Sequence, residues 1–382
     1  MQKKKENKYF LLLYYIFAIF MILAVIITLN TSSTSINRNH DIQIKASKKV
    51  EEAMEILKAR EAEVSEYYDY GDFYESYEDK VKYYDSVNLN TGMLGAEYTA
   101  ITTTIGNLDS KITSLDPNFA AVYIKMFDEL SLKPGDEAVI NISGSFPMLD
   151  ISCIVAMEEY GLKPFIMASI GASSYGATNP AFTIFDMLEY LYDQKIINSR
   201  IDVVSLGGSN DIGSNFGEFN NYRDRDLIIE RINKSGIAFL YEKNFDKNIE
   251  LRLSLIESKC KNVKLFVNVG GNSVGLGINE NAYYKSNGIL YARNYRKTNF
   301  SNHGAGLIEQ FLMKDINAIQ VLNLKYIALE YGLEYGFNKL PEVGSGGAYV
   351  EVKYNLTYSI ISIIALIAFL LYFKKKKISK EI

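Results

Sequence analysis

The sequence predicts an α/β fold. It implies a mostly parallel, doubly wound (Rossmann-like) sheet, flanked by one N-terminal and one C-terminal transmembrane helix. Three observations lead there. From Lys133 onward, β-branched apolar runs of strand length alternate with stretches of helical periodicity. Four of those runs end in Gly/Ser-rich loops. Each chain end carries a long apolar run beside a cluster of lysines.

Strand-length runs lie at Ala138–Ile142, Phe165–Ile170, Val203–Leu206, Leu265–Val269 and Ala318–Leu322. Helical spacing lies between them, near Leu149–Tyr160, Thr183–Lys195, Ile249–Cys260 and Leu307–Asp315. Strands alternating with helices imply right-handed crossovers and parallel pairing. Continuous apolar strands fit a sheet covered on both faces. Gly161 reads as a left-handed helix cap, with Pro164 just beyond it. Asp150 and Asp186 fall at helix starts, where capping explains them. Asp116-Pro117-Asn118 reads as a turn that starts a helix.

The apolar run Phe10–Leu29 has 20 residues, follows Lys3, Lys4, Lys5 and Lys8, and has no A-x-A cleavage site after it. As a helix it spans roughly 30 Å, the thickness of a bilayer core. Leu356–Phe373 is a second run, followed by Lys374 to Lys377. Basic flanks favour the cytoplasmic side. The expectation is a two-pass cell-membrane protein with both termini cytoplasmic and the lipid bilayer as a partner. Its segments are a basic tail (1–9), a span (10–29), a polar, acidic and Tyr-rich stalk (30–90), an extracytoplasmic α/β domain (91–355), a second span (356–373) and a basic tail (374–382). The stalk reading rests on helical spacing from Asp41 to Val64 and on nine acidic residues between Glu61 and Asp85.

The 48% apolar and 23% charged composition excludes disorder, collagen and a disulfide scaffold. Net charge is −4, with 41 Lys+Arg against 45 Asp+Glu, so nothing global favours nucleic acid. Between the apolar runs the count is 32 basic and 43 acidic residues, net −11. A polyanion there needs a local exception. Two cysteines and two histidines leave too few ligands for a zinc site, and no metal or cofactor is expected. Cys153 and Cys260 read as free buried thiols, with a disulfide as the alternative. Arg223, Arg225, Arg231 and Lys234 alternate with acids and read as a solvated helix face.

The four loops are the informative feature. They are Ser143-Gly144-Ser145, Gly171 through Ser173, Ser174 and Tyr175 to Asn179, Gly207-Gly208-Ser209-Asn210-Asp211, and Gly270-Gly271-Asn272-Ser273. In a parallel sheet all strand C-termini share one edge, so these loops gather there, and open α/β sheets bind ligands at that edge. Glycine lets the backbone approach a ligand, and Ser and Asn add uncharged donors. Free N–H groups there suit carboxylate or phosphate, which supplies the local exception. None of the loops is a P-loop, and none completes G-x-G-x-x-G. A catalytic alternative sets Ser145 as nucleophile, His303 as base and Asp211 or Asp150 as orienter, although Ser145 lacks the G-x-S-x-G elbow. His40 reads as solvent-exposed.

The strings SGSFPMLDI, SIGASSYGATNPAFTIFDM, SLGGSNDIG, NVGGNSVGLG and VLNLKYIALEYGL, with the stretch from Thr91, resemble the poly-gamma-glutamate system protein family over most of residues 91–342. The matching positions are Ser143, Gly144, Ser145, Gly171, Ala172, Ser173, Tyr175, Gly176, Asn179, Gly207, Gly208, Asp211, Gly270, Gly271 and Asn272. The resemblance implies a membrane-bound accessory factor of the machinery that makes and exports poly-gamma-glutamate, with no defined catalytic step. Three functions follow as expectations. The protein engages the anionic polymer, or its synthase and export partners, at the loop edge. Alternatively it is an envelope hydrolase or transferase for γ-glutamyl or related bonds, using Ser145 and Asp211. As a third, it is a non-enzymatic scaffold for the synthase complex.

Overall fold

The computed structural model describes residues 2–67, 89, 91–214, 222–280, 282–283, 286–297, 301 and 303–381, with backbone alone at 2–14, 66–67, 222 and 373–381. Two compact units emerge: Asn39–Tyr349, and a second made of 1–38 with 350–382.

The larger unit is built on a seven-stranded sheet. In chain order its strands are β3 (Glu137–Ser143), β4 (Lys163–Ser169), β6 (Val203–Ser205), β7 (Ala238–Phe239), β8 (Val263–Val269), β9 (Gly288–Leu290) and β10 (Asn317–Val321). Their spatial order is β7-β6-β4-β3-β8-β10-β9. All neighbours pair in parallel except β9, which runs antiparallel on the edge beside β10. The sheet is therefore mixed but mostly parallel, as expected. The chain winds outward from β3 through β4, β6 and β7, then restarts on the other side with β8. The β3/β8 boundary is thus the topological switch point.

Side chains on a strand alternate between faces, and two cores result. Ala138, Ile140 and Ile142 of β3 join one, with Ile166 and Ala168 of β4 and Leu265, Val267 and Val269 of β8. Val139, Phe165, Met167 and Phe266 join the other. Phe266 is fully buried and stacks on Phe311 at 4.6 Å. Burial of such a ring stabilises by about 1.5–3 kcal/mol. Gly161 closes the helix Pro147–Tyr160 in the left-handed conformation, φ 88°. Thr183 and Asp186 form a capping box on the helix Ile184–Asp193.

Several expectations need correction. The stalk is not a stalk: the helix His40–Tyr67 contributes Ala46, Val50, Ala53, Met54 and Leu57 to the first core, each at most 2% exposed. An amphipathic helix hides one face wherever an apolar surface is available, and here the sheet unit supplies it. Most of the Tyr-rich stretch, 68–88, lies outside the described residues. Cys153 and Cys260 are both free thiols.

The two terminal apolar runs do form helices, Gln2–Asn30 and Thr357–Glu381, in the smaller unit. They pack together there: Phe17 stacks on Phe369 at 4.9 Å, and Thr28 Oγ1 meets Ser359 Oγ at 2.8 Å. β1 (Ser33–Ile36) pairs antiparallel with β11 (Val350–Lys353). The expected membrane spans are overturned, because among the described residues no helix is long and apolar enough to cross a membrane. Phe10 to Tyr14 and Phe373 of the expected spans lie outside the described side chains. The two-pass localisation falls with the spans.

Candidate functional site

The four loops meet. A cavity of about 420 Å³ opens at the strand C-termini, over the β3/β8 switch point. Its wall includes Ser143 and Ser145, Gly171 and Ser173, Gly208 and Ser209, and Gly271, Asn272 and Ser273. Of the other residues expected there, Gly144, Ser174, Tyr175, Asn179, Gly207, Asn210, Asp211 and Gly270 do not line it. A Cβ on Gly270 would lie 2.9 Å from Ser143 Oγ, and one on Gly144 would lie 2.7 Å from Ile170 O. These glycines let the loops nest.

The cavity also takes in a segment outside the four loops: Thr103, Thr104, Ile105, Gly106, Asn107, Ser110 and Lys111. Its first part is β2 (Thr102–Thr104), which pairs in parallel with β5 (Ala172–Ser173). Asn107 then caps the short helix Leu108–Thr113, its Oδ1 accepting from Ser110 N at 2.9 Å. Tyr335 braces that cap, its hydroxyl donating to Asn107 Oδ1 at 3.0 Å. The helix turns Lys111 inward, where it is 1% exposed.

Lys111 is the chemical centre of the cavity. Its Nζ donates to Ser173 Oγ at 2.7 Å and to the backbone carbonyl of Ser145. The Phe146 ring lies 4.2 Å away, centroid to Nζ. Burial pushes the amine down to about 7, although the Asp150 carboxyl pulls it upward. Removal from water disfavours the ammonium and nothing fully replaces the lost hydration. Near neutral pH a share of Lys111 is therefore the free amine, in hydrogen-bond reach of a hydroxyl. That pairing of base and hydroxyl is the arrangement of nucleophilic catalysis. Ser173 also donates its backbone N–H to Ser145 Oγ at 3.2 Å. Among the described residues, the backbone N–H groups of Gly208, Ser209 and Gly271 have no protein acceptor. Ser273 Oγ and Asn272 Nδ2 likewise have no partner.

Two buried polar networks hold the wall rigid. Asn141, Asn268 and Gln320 stand in register on β3, β8 and β10. Asn141 Nδ2 donates to Asn268 Oδ1 at 2.6 Å and to Asn272 Oδ1 at 2.8 Å, and Asn268 Nδ2 donates to Gln320 Oε1 at 2.7 Å. In the second network Arg252 Nη2 meets Asp211 Oδ2 at 2.6 Å, while Ser205 Oγ donates to Asp211 Oδ1 at 2.7 Å and Asn248 Nδ2 to Asp211 Oδ2 at 3.1 Å. This fixes the loop 207–211, whose Asn210 and Asp211 both have positive φ (52° and 65°).

The triad of Ser145, Asp211 and His303 is not assembled. Asp211 faces Arg252 in the interior, 2% exposed. His303 is 88% exposed and pairs with Asp246 at 2.6 Å. Neither lines the cavity. Sequence reasoning missed Lys111. One signal marked it: a lysine four residues beyond an Asn N-cap, flanked by Leu108, Ile112 and Leu115. Among the described residues, no three His, Cys, Asp or Glu side chains gather to hold a metal ion.

No protein-family model, no curated protein and no solved structure matches the chain. The poly-gamma-glutamate resemblance gains no support from these comparisons.

Proposed function

We propose that this protein is a serine–lysine acyl-transfer enzyme, a hydrolase or transferase of amide or ester bonds, with Ser173 as nucleophile and Lys111 as general base. The observation that carries this reading is the 2.7 Å contact of a buried lysine, its amine pushed down to about 7, with a hydroxyl on the wall of an open cavity.

The free amine of Lys111 takes the proton of Ser173 Oγ as that oxygen bonds to the substrate's carbonyl carbon. The carbonyl π electrons move to its oxygen. The unpartnered N–H groups of the wall are the donors available to the oxyanion. The Lys111 ammonium then protonates the leaving group as the scissile bond breaks, leaving an acyl-serine and a neutral amine. Water, or an acceptor amine, releases the acyl group by the same steps in reverse order. Ser145 positions Ser173 by accepting its backbone N–H. Asp211 keeps its place in the fold and takes no step.

The resemblance makes a γ-glutamyl amide the first substrate to assay. A fluorophosphonate probe with peptide mapping tests the nucleophile directly. The expected adduct is on Ser173, lost in Lys111→Met. An adduct elsewhere, or labelling and turnover unchanged in Lys111→Met, refutes the reading. A second reading, capture of a carboxylate-bearing γ-glutamyl chain without chemistry, is favoured by the unpartnered wall N–H groups. It predicts saturable binding with neither label nor turnover.

A further inference from the structure

Behind the cavity lies a buried acid that the mechanism above does not use. Asp150 sits in the first turn of the helix Pro147–Tyr160 and is 0% exposed. It does not cap the helix. Neither carboxyl oxygen has a hydrogen-bond partner among the described residues. Its backbone N–H donates to Phe146 O at 3.1 Å. It therefore stands one turn past the two residues that touch the Lys111 ammonium, Ser145 through its carbonyl and Phe146 through its ring. An orphaned carboxyl in a core is costly. Ordinary packing would place an apolar side chain there.

We propose that Asp150 is the positioning residue of this site, a carboxyl kept out of hydrogen bonds so that its charge acts on Lys111 and governs when the amine is free. The proposal rests on the acyl-transfer reading and adds the group that tunes its base. Among the described residues, the Asp150 charge acts on Lys111 of the helix Leu108–Thr113, on Tyr123 of the helix Phe119–Glu129 and on Cys153 of its own helix. Burial pushes the buried Tyr123 and Cys153 well up; Cys153 and then Asp150 add to this at Tyr123, and Asp150 adds to it at Cys153, so both stay neutral. Lys111 is then the group whose charge changes with Asp150. Burial also pushes the Asp150 carboxyl well up, and Lys111 pulls it back. In a low-dielectric interior the two share their charge states through space.

Asp150→Asn keeps the shape and removes the charge. The acidic limb of the kcat/KM pH profile, set by Lys111, then moves to lower pH by about one unit, the effect of losing a nearby opposite charge. A limb that stays in place overturns the proposal. A second measurement needs no turnover. Trace acetic anhydride acylates free amines, and peptide mapping across pH gives the Lys111 titration in both proteins. The same downward shift is expected, and coincident curves overturn the proposal. If the protein shows no acyl-transfer activity at all, this titration still decides the role of Asp150. If Asp150→Asn fails to fold, Lys111→Met with ¹³C-aspartate labelling replaces it. The Asp150 carboxyl is then expected to titrate at higher pH than in wild type, and an unmoved resonance overturns the proposal.

Discussion

Replacing Arg252 by Met tests whether the loop 207–211 is held by a buried charge network. Arg252 is 1% exposed and Asp211 2%. The substitution keeps the apolar stem but removes three hydrogen bonds: to Asp211 at 2.6 Å, to Ser205 Oγ at 2.8 Å and to Asn248 Oδ1 at 2.9 Å. Removing one partner of a buried ion pair costs about 3–5 kcal/mol, because the other charge is left without compensation. Asp211 still accepts from Ser205 and Asn248, which places the loss near the lower end, about 3 kcal/mol. Urea denaturation of both proteins at one pH measures it. Adding Asp211→Asn to Arg252→Met removes the stranded charge. The double variant is then more stable than the single one, with a coupling above about 1 kcal/mol. A single-variant loss below about 1 kcal/mol, with no coupling, would refute the network as the anchor of this loop.

Four further outcomes follow. Lys111→Met lowers kcat/KM by about 10²–10⁴, and wild-type activity rises with pH through about 7 as the amine is freed. The same group gives stability a sign: between about 7 and the ordinary 10.5 the unfolded chain binds the extra proton. Lys111 thus destabilises the fold below about pH 7, and urea midpoints of wild type gain on Lys111→Met as pH rises through that window. Ser145→Ala removes the acceptor of the Ser173 N–H, about 1 kcal/mol, and lowers kcat roughly fivefold; a loss as deep as that of Ser173→Ala in steady-state assays would reverse their roles. Gly275→Ala puts a Cβ 1.8 Å from Asn268 Oδ1 and costs about 1–3 kcal/mol by thermal melts, through disruption of the amide ladder. His303→Ala changes stability by no more than about 0.5 kcal/mol and leaves turnover intact, since its ion pair is at the surface.

The central strands were legible because an internal parallel strand must be apolar on both faces. The expected runs at 138–142, 165–170, 203–206, 265–269 and 318–322 coincide with β3, β4, β6, β8 and β10 within a few residues. The short strands β2, β5, β7 and β9 were not, for two or three residues carry no periodicity. The helix His40–Tyr67 was legible as a helix but not in its location. Its pattern reports that one face is hidden and says nothing about what hides it. The terminal runs show the same gap: hydropathy predicted spans, whereas the described residues contain no helix that is long and apolar enough to cross a membrane.

For the site, sequence alone determined that glycine- and serine-rich turns follow the strands, and parallel pairing then obliged those turns to share an edge. That inference needs only local backbone physics and the direction of the strands. Only the tertiary structure brought Lys111 to that edge. Lys111 lies 62 residues from Ser173 in the chain, on a short helix marked only by its Asn cap. Its amine loses its ordinary basicity only because packed neighbours exclude water from it. Asp211 and His303 stay off the cavity wall for the converse reason: one is committed to Arg252 in the interior and the other to Asp246 at the surface. Charge state is a property of surroundings, and surroundings are assembled from residues distant along the chain.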